Sequence, residues 1–409
     1  MTLKLFLVAG EHSGDALGAR LMAAIEKRCG GHVSYAGVGG PLMERAGFSS
    51  LFPMSEVAVM GPVAIVLALR RLAARVHATV DAAIAADPDA VVIIDSPEFT
   101  HRVALRIRKR RPDVPIVNYV SPSVWAWRPG RAKVMRAYVD HLMALLPFEP
   151  AAHRELGGPP CTYVGHPLIE RMGEFRAIDP APLAERLRLS PHRPVLVVLP
   201  GSRRSEVGRL MEPFGGALEL LLKRDRLPQI VIPVMSSTRA LVEQKLRRWP
   251  LIPHVIEGEA DRLRAFKFAN AALTASGTVT LELGLAGTPM VVAYQVEPLA
   301  APFLRRMITA ASIVLPNLVL GENVFPEFIQ EKCTPELLAR AVADLLADGP
   351  ALAAQRRALA RLPEALALPA ASASDAAAEI VLSYARARSL RMEAEASTRP
   401  RAARLRRDG

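Results

Sequence analysis

Cysteine is scarce in this chain. The three present among 409 residues, Cys29, Cys161 and Cys333, are odd in number, far apart and in no Cys/His ligand spacing. That pattern excludes a disulfide framework and a structural zinc site, and it suits a reducing compartment. Aromatic residues are also few, at 5%. With no aromatic-interleaved basic motif and no zinc finger, the net charge of +12 does not describe a nucleic-acid interface. It describes attraction to an anionic membrane surface or to anionic substrates. Long hydrophobic runs are missing as well. The uncharged apolar stretch Val57 to Leu69 has thirteen residues between Glu56 and Arg70, short of the roughly 20 that span a bilayer. The apolar start, Leu3 to Ala9, stops at Gly10-Glu11-His12 without a small-residue cleavage site, so it is expected to be a buried first strand and not a signal peptide. No metal-ligand spacing, Walker A motif or GxGxxG fingerprint occurs, and no metal or cofactor is expected.

What the sequence does have is hydrophobic residues, 51% of the total, enough for two or three cores at this length. Two strand-then-glycine signals divide it. Leu3 to Ala9 runs into Gly10-Glu11-His12-Ser13-Gly14-Asp15, after which Leu17, Leu21, Met22 and Ile25 recur at helical spacing. Val195 to Leu199 runs into Pro200-Gly201-Ser202-Arg203, followed by Leu210, Phe214, Leu218 and Leu221. Further short apolar runs alternate with helix-length segments in each half, which predicts an α/β protein with two doubly wound Rossmann-like domains, expected to face one another across a cleft. The first domain is expected over 1–175 and the second over 190–350, separated by the proline-rich stretch before Pro194. C-terminal helices are expected over 351–385, and a disordered basic tail over 386–409, which holds eight Arg against Glu393, Glu395 and Asp408.

In open α/β sheets ligands sit beyond the carboxyl ends of strands. Gly201-Ser202-Arg203, between strand and helix, offers backbone N–H groups, a helix dipole and a guanidinium to a phosphate or diphosphate. A plain strand–helix turn explains the tripeptide equally well. Ser276-Gly277-Thr278 follows a second apolar run, so Ser276 or Thr278 is expected to cap the next helix beside a diphosphate, and Glu282, in an otherwise apolar helix, to accept hydrogen bonds from ribose hydroxyls. Asp95 ends the run Ala90 to Ile94, where a carboxylate suits a general base acting on an acceptor hydroxyl, or else caps the helix beginning near Pro97. Glu11, His12 and Asp15 compete for the same part. Trp125 and Trp127, beside Arg128, can pack on acyl chains or sugar rings or anchor their loop to the core. The apolar segment ending in Leu69, followed by Arg70, Arg71 and Arg75, is either an interfacial helix or a core helix with a basic end.

Taken in order, these strings resemble the lipid A disaccharide synthase family, inverting glycosyltransferases of the GT-B architecture. The resemblance spans about residues 3 to 335 and rests on Ala9 to Asp15, Gly37-Val38-Gly39-Gly40-Pro41, Val59-Met60-Gly61, Ile94-Asp95-Ser96-Pro97-Glu98-Phe99, Leu146-Pro147-Phe148-Glu149, Val164-Gly165-His166-Pro167, Leu199 to Arg203, Ala275 to Thr278, Leu315-Pro316-Asn317-Leu318 and Pro326 to Gln330. Its most specific part is Ser121-Pro122-Ser123-Val124-Trp125-Ala126-Trp127-Arg128.

The resemblance implies condensation of UDP-2,3-diacylglucosamine with 2,3-diacylglucosamine 1-phosphate through a β-1,6 bond, with release of UDP and without a metal. It also implies UDP-linked and phosphorylated lipid substrates and peripheral contact with the cytoplasmic face of the inner membrane; a homodimer is compatible with it. Asp95 and Arg203 then fall on the essential Asp and Arg, and Gly10, Glu11, Ser13, Gly14 and Asp15 on the acceptor loop. Gly201, Ser202, Arg203, Glu206, Ser276, Gly277, Thr278, Glu282, Asn317, Glu327 and Gln330 fall on UDP-binding positions. Met60, Val63, Ile65, Val66, Leu69, Trp125 and Trp127 become the acyl and membrane contacts. The chain departs from the pattern at Gln295 and Glu297, where two cations are usual, which moves a phosphate contact to Arg305 or Arg306. It departs also at Glu98 and Thr100, where Asp and Asn are usual, and at His12, where Thr or Ala is usual. Two other readings stay open: another UDP-sugar enzyme of the same architecture, and a UDP-sugar-binding protein without turnover.

Overall fold

The computed structural model describes residues 2–58, 62–222, 228–297 and 310–398, without the side chains of 62–68 and 395–398. Two compact units appear, Met1–Gly165 together with Leu368–Gly409, and His166–Ala367. Each is a six-stranded parallel sheet covered by helices on both faces. The first sheet contains β1 (Leu3–Ala9), β2 (Val33–Val38), β3 (Ala90–Ile94), β4 (Ile116–Tyr119), β5 (His141–Ala144) and β6 (Cys161–Tyr163), in the order β2-β1-β3-β4-β5-β6. The second contains β7 (Val195–Leu199), β8 (Gln229–Val234), β9 (His254–Glu257), β10 (Ala271–Ala275), β11 (Met290–Tyr294) and β12 (Glu327–Ile329), in the order β12-β11-β10-β7-β8-β9.

The central strands are buried on both sides, which is why they are continuous apolar runs and not alternating ones. Alternation shows instead as a division of labour. Phe6 and Val8 face helices Pro62–Ala86 and Pro97–Arg110, whereas Leu5 and Leu7 face His12–Cys29 and Ala373–Thr398. In the second sheet Leu196 and Val198 meet helices Arg204–Leu222 and Pro335–Leu346, and Val195 and Val197 meet Glu259–Phe268 and Pro350–Ala365. Replacing a fully buried Phe6 or Phe214 by alanine costs about 3–5 kcal/mol at such positions.

Both sheets reverse their winding once. In the first, chain order leaves β1 for β2 on one side and returns to β3 on the other, with Ala9 beside Ile94 in the register. In the second, β7 leads to β8 and then back to β10, with Leu199 beside Thr274. The loops after β1 and β3, and those after β7 and β10, therefore flank the two reversal points where open α/β sheets bind ligands.

The chain's division differs from the sequence expectation in three ways. Helices Pro167–Glu170, Met172–Ala177 and Ala181–Arg186 belong to the second unit, because Phe175 and Leu183 are buried against Val195 and Phe266. The C-terminal part is not one helical appendage: Pro350–Ala365 covers the second sheet, while Ala373–Thr398 returns to the first. Nor are residues 386–398 a disordered tail. Ala377, Ala378, Val381, Leu382 and Ala385 are buried against Leu21 and Ile25, Arg28 pairs with Asp375, and buried Arg388 bonds Asp87 at 2.9 Å and Asp113 at 2.8 Å. Arg388 is thus an ion-pair partner of Asp87 and Asp113 beside the sheet, a role that charge composition alone hides.

Candidate functional site

In the second unit a cavity of about 670 Å³ opens at the carboxyl ends of β7, β8, β9 and β10. It brings together Gly201, Ser202, Arg203, Glu206, Ser276, Gly277, Thr278 and Glu282, eight of the positions expected to bind UDP. The two loops at the reversal point meet it through glycines held at φ +117° (Gly201) and +145° (Gly277), conformations that side-chain-bearing residues rarely adopt. A Cβ on Gly201 would also lie 2.5 Å from the Cβ of Glu206.

Glu206 is buried and holds the first loop. Its Oε2 accepts from the amides of Ser202 (3.1 Å) and Arg203 (3.2 Å), and its Oε1 from the Arg203 guanidinium (2.8 Å). It is a clamp that sets Arg203 at the cavity mouth, not a carboxylate turned to a ligand. Arg203 keeps 62% of its side chain exposed there, within reach of an entering anion. Ser276 and Thr278 make no helix cap, contrary to expectation. The Ser276 hydroxyl donates to the Ile313 carbonyl at 2.6 Å, and Thr278 adopts helical angles without a side-chain cap bond. Glu282, one turn into the helix, borders the cavity with an oxygen 3.0 Å from Arg262. Burial pushes its carboxyl above the usual range, against the pull of Arg262.

The same cavity has a wall that was not anticipated: Met235 and Ser236 after β8, and Glu257, Gly258, Glu259 and Arg262 around β9 and the following helix. The signal available was Gly258, which follows the short strand His254–Glu257 at φ +99°.

Asn317, Glu327 and Gln330 do not line this cavity. Buried Asn317 receives the amides of Val324 and Phe325 at 3.0 Å and donates to the Phe325 carbonyl at 2.9 Å. Glu327 accepts from Ser312 Oγ (2.9 Å) and the Ile313 amide (2.8 Å), and Gln330 from the Val296 amide (2.6 Å). These three stitch the segments around β12 together, and through Ile313 they support the Ser276 loop. Glu297 pairs with Arg209 at 3.0 Å and Gln295 faces the Gln330 carbonyl. Arg305 and Arg306 lie outside the described residues.

At the reversal point of the first unit the chemistry is acidic. Asp95 Oδ2 accepts from Ser13 Oγ at 2.6 Å and Oδ1 from the Ser96 amide at 2.8 Å, so both oxygens are oriented. The backbone here is strained: Asp95 (φ +54°), Ser96 (φ +45°) and, beyond β4, Val120 (φ +80°) are non-glycine residues in the left-handed region, and such outliers gather where a site requires them. Asp95 does not cap the following helix with its side chain; Ser96 holds the N-cap position. Gly10 and Gly14 let the loops approach, since a Cβ on them would come within 2.6 Å of Ser96 Oγ and 3.0 Å of the Ile94 carbonyl. Glu11 is the N-cap of helix His12–Cys29. Asp15 is removed from contention as an acceptor contact or base: buried, it receives the amides of Gly40 (3.0 Å), Leu42 (2.9 Å) and Met43 (2.9 Å) and so caps helix Pro41–Arg45.

Trp125 is tied inward. Its indole N–H donates to Glu149 Oε1 at 3.1 Å and its ring meets Phe148 edge-on with centroids 5.0 Å apart. Burial pushes Glu149 up to about 7. Trp127 carries the Arg128 guanidinium 4.5 Å above its ring and stays half-buried. Leu69 is exposed, at 45%, beside exposed Arg70 and Arg71. Met60 and the side chains of Val63, Ile65 and Val66 lie outside the described residues.

Two doubly wound parallel units, the second with a cavity at its reversal, define the GT-B fold class. Solved structures of that fold agree. UDP-GlcNAc 2-epimerase from Neisseria meningitidis bound to UDP-GlcNAc matches with a TM-score of 0.60 at 11% identity, covering 93% of this chain and 99% of that one. MurG of Acinetobacter baumannii matches with a TM-score of 0.54 at 12% identity, again covering 93% and 99%. Sequence goes further than fold. The family model described as lipid-A-disaccharide synthetase matches residues 5–381. Lipid-A-disaccharide synthase of Rhodopseudomonas palustris BisB18 is 52% identical over 379 residues, 93% of this chain and 95% of its own length. That of Bradyrhizobium diazoefficiens is 50% identical over 94% of this chain and 97% of its own length. The chain belongs to the lipid-A-disaccharide synthetase family and is a glycosyltransferase.

Proposed function

We propose that the cavity of the second unit takes the UDP moiety of UDP-2,3-diacylglucosamine, and that Asp95 is the base for the 6-hydroxyl of 2,3-diacylglucosamine 1-phosphate. The acceptor oxygen attacks the anomeric carbon as its proton passes to Asp95. The bond from that carbon to the diphosphate oxygen breaks, giving the β-1,6 disaccharide 1-phosphate and UDP. Arg203 offsets the charge that grows on the leaving diphosphate, and Glu282 takes ribose hydroxyls. The observation carrying this reading is the cavity itself. Its roughly 670 Å³ and its convergence of Gly201, Arg203 and Ser276 to Thr278 suit a nucleoside diphosphate. Ser13 and Ser96, each donating to one oxygen of Asp95, support the base by holding it in one orientation.

Among the described residues no helix is long and apolar enough to cross a membrane. We infer peripheral docking on the cytoplasmic face of the inner membrane through the part of the segment that ends at Leu69, supported by exposed Leu69 ahead of Arg70 and Arg71; Val57, at its start, is buried in the core and takes no part. A homodimer is compatible with the reading and not required by it. Incubation with the two lipid substrates tests the reaction: UDP release in step with disaccharide supports it. Turnover of free UDP-GlcNAc instead, or UDP binding without any transfer, would each replace it with one of the alternative readings. Serine at Val63, Ile65 and Val66 should lower co-sedimentation with anionic vesicles, and unchanged sedimentation removes the docking claim.

A further inference from the structure

The wall of the nucleotide cavity is more acidic than a diphosphate site should be. Four carboxylates, Glu206, Glu257, Glu259 and Glu282, line it against two guanidiniums, Arg203 and Arg262. Arg203 is taken by Glu206 and Arg262 by Glu282. That leaves Glu257 and Glu259, which are balanced from outside the lining: Arg239 reaches Glu257 at 3.0 Å, and Arg171 reaches Glu259 at 2.7 Å.

The second of these outer pairs has a consequence inside the cavity. Glu259 Oε1 lies 3.8 Å from Arg262 Nη2, the same nitrogen that holds Glu282 at 3.0 Å. Arg171, Glu259, Arg262 and Glu282 thus form one chain of alternating charge. It begins at the turn between helices Pro167–Glu170 and Met172–Ala177 and ends on the carboxylate facing the ligand. Arg171 is anchored on its other side by Glu174 at 2.8 Å, and Phe175 of the same segment is buried with Leu263 and Leu283 of the cavity helices. Burial, the largest influence, and Glu259 oppose ionisation of the Glu282 carboxyl, whereas Arg262 and Arg171 favour it.

We infer that Arg171 is a positioning residue for the sugar-nucleotide site: by holding Glu259 it keeps Arg262 on Glu282 and removes a negative charge from the rim that a nucleoside diphosphate must pass. The inference rests on the UDP reading of the cavity and adds a residue outside its lining. Without Arg171, the Glu259 carboxylate competes for Arg262 and repels the diphosphate. Because Glu259 is more than half exposed, water and salt moderate the effect.

The test is UDP binding by calorimetry on the full chain, with donor kinetics in parallel. Arg171→Ala should raise the UDP Kd and the donor KM about three- to fivefold, with kcat within twofold. Arg171→Lys should recover most of the loss. The double variant Arg171→Ala with Glu259→Gln should return to near native affinity, which a packing defect at position 171 would not do, and the deficit of Arg171→Ala should shrink in high salt. Glu259→Gln alone, which does not disturb the Arg171 anchor on Glu174, should bind UDP at least as tightly as the native chain. Native affinity in Arg171→Ala, or a double variant as weak as the single one, overturns the inference while leaving the UDP site intact. A native chain that binds no UDP at all overturns both.

Discussion

At the reversal of the first sheet, the loops after β1 and β3 converge on a carboxylate, Asp95, held by Ser13 and the Ser96 amide with a strained backbone beneath it. At the reversal of the second, the loops after β7 and β10 converge on glycines and on Arg203, with the carboxylate of the first helical turn after β7, Glu206, turned to serve the arginine. Both sheets are parallel and reverse their winding once, with β2 alone beyond β1 in the first and β8 and β9 beyond β7 in the second, and the ligand chemistry at the two reversals is opposite. The fold supplies the position and leaves the sign of charge to a handful of loop residues. On the reading proposed above, the basic reversal serves a diphosphate leaving group and the acidic one a proton acceptor, so one class of scaffold used twice would cover both halves of a transfer.

The contrast is open to attack at several strengths. Asp95→Asn keeps the shape and removes the base, and is expected to lower kcat by about 10²–10⁴ with the circular dichroism spectrum unchanged; native turnover would leave the first reversal without its chemistry. Acid should weaken the first unit next. Burial holds His101 down to about 3 and His153 to about 4, so the folded first unit does not take up the protons that its unfolded chain binds below about 6.5. Their contribution is complete above that pH and is lost as pH falls. Glu149, raised to about 7, acts the other way, its contribution being complete below about 4.5 and lost as pH rises through about 7. His101 and His153 against Glu149 leave a net loss of about 2–3 kcal/mol between pH 6.5 and 4.5, and His141 of the same unit, also held down by burial, adds to it in the same direction. Urea titrations of a Trp249→Phe variant, which leaves Trp125 and Trp127 as reporters, should show this in the first unit's midpoint. A flat midpoint would contradict it.

Arg203→Ala is expected to weaken UDP about tenfold and to leave the Ser13–Asp95 geometry untouched; equal affinity by calorimetry would remove the cationic reversal from the donor site. The smallest change is Ser13→Ala, which frees Asp95 Oδ2 and should reduce kcat about threefold to tenfold without altering donor KM.

Much of this contrast was legible in the sequence, and the failures share a cause. Strand-then-glycine grammar located both reversals, because buried parallel strands are continuous apolar runs and tight strand–helix turns need glycine. Asp95 and Arg203 stood out as charges at strand ends. Residue type does not tell which way a side chain points, however. Asp15, Glu206, Asn317 and Glu327 have the chemistry of ligand contacts and spend it on backbone amides of neighbouring loops, a partner that pattern cannot show. The wall after β8 and β9 escaped for the opposite reason. Ser236, Glu259 and Arg262 look like ordinary solvent-facing helix residues until the sheet order sets β8 beside β7.

The return of helix Ala373–Thr398 to the first sheet reverses the order in which the molecule can be finished as it is made. Residues His166–Ala367 form one uninterrupted span and have their whole core once synthesis passes position 367. The first unit, although it leaves the ribosome earlier, waits with Leu21 and Ile25 uncovered until Ala378, Val381 and Leu382 arrive. A chain ended at residue 367 would therefore injure the half of the protein that was translated first.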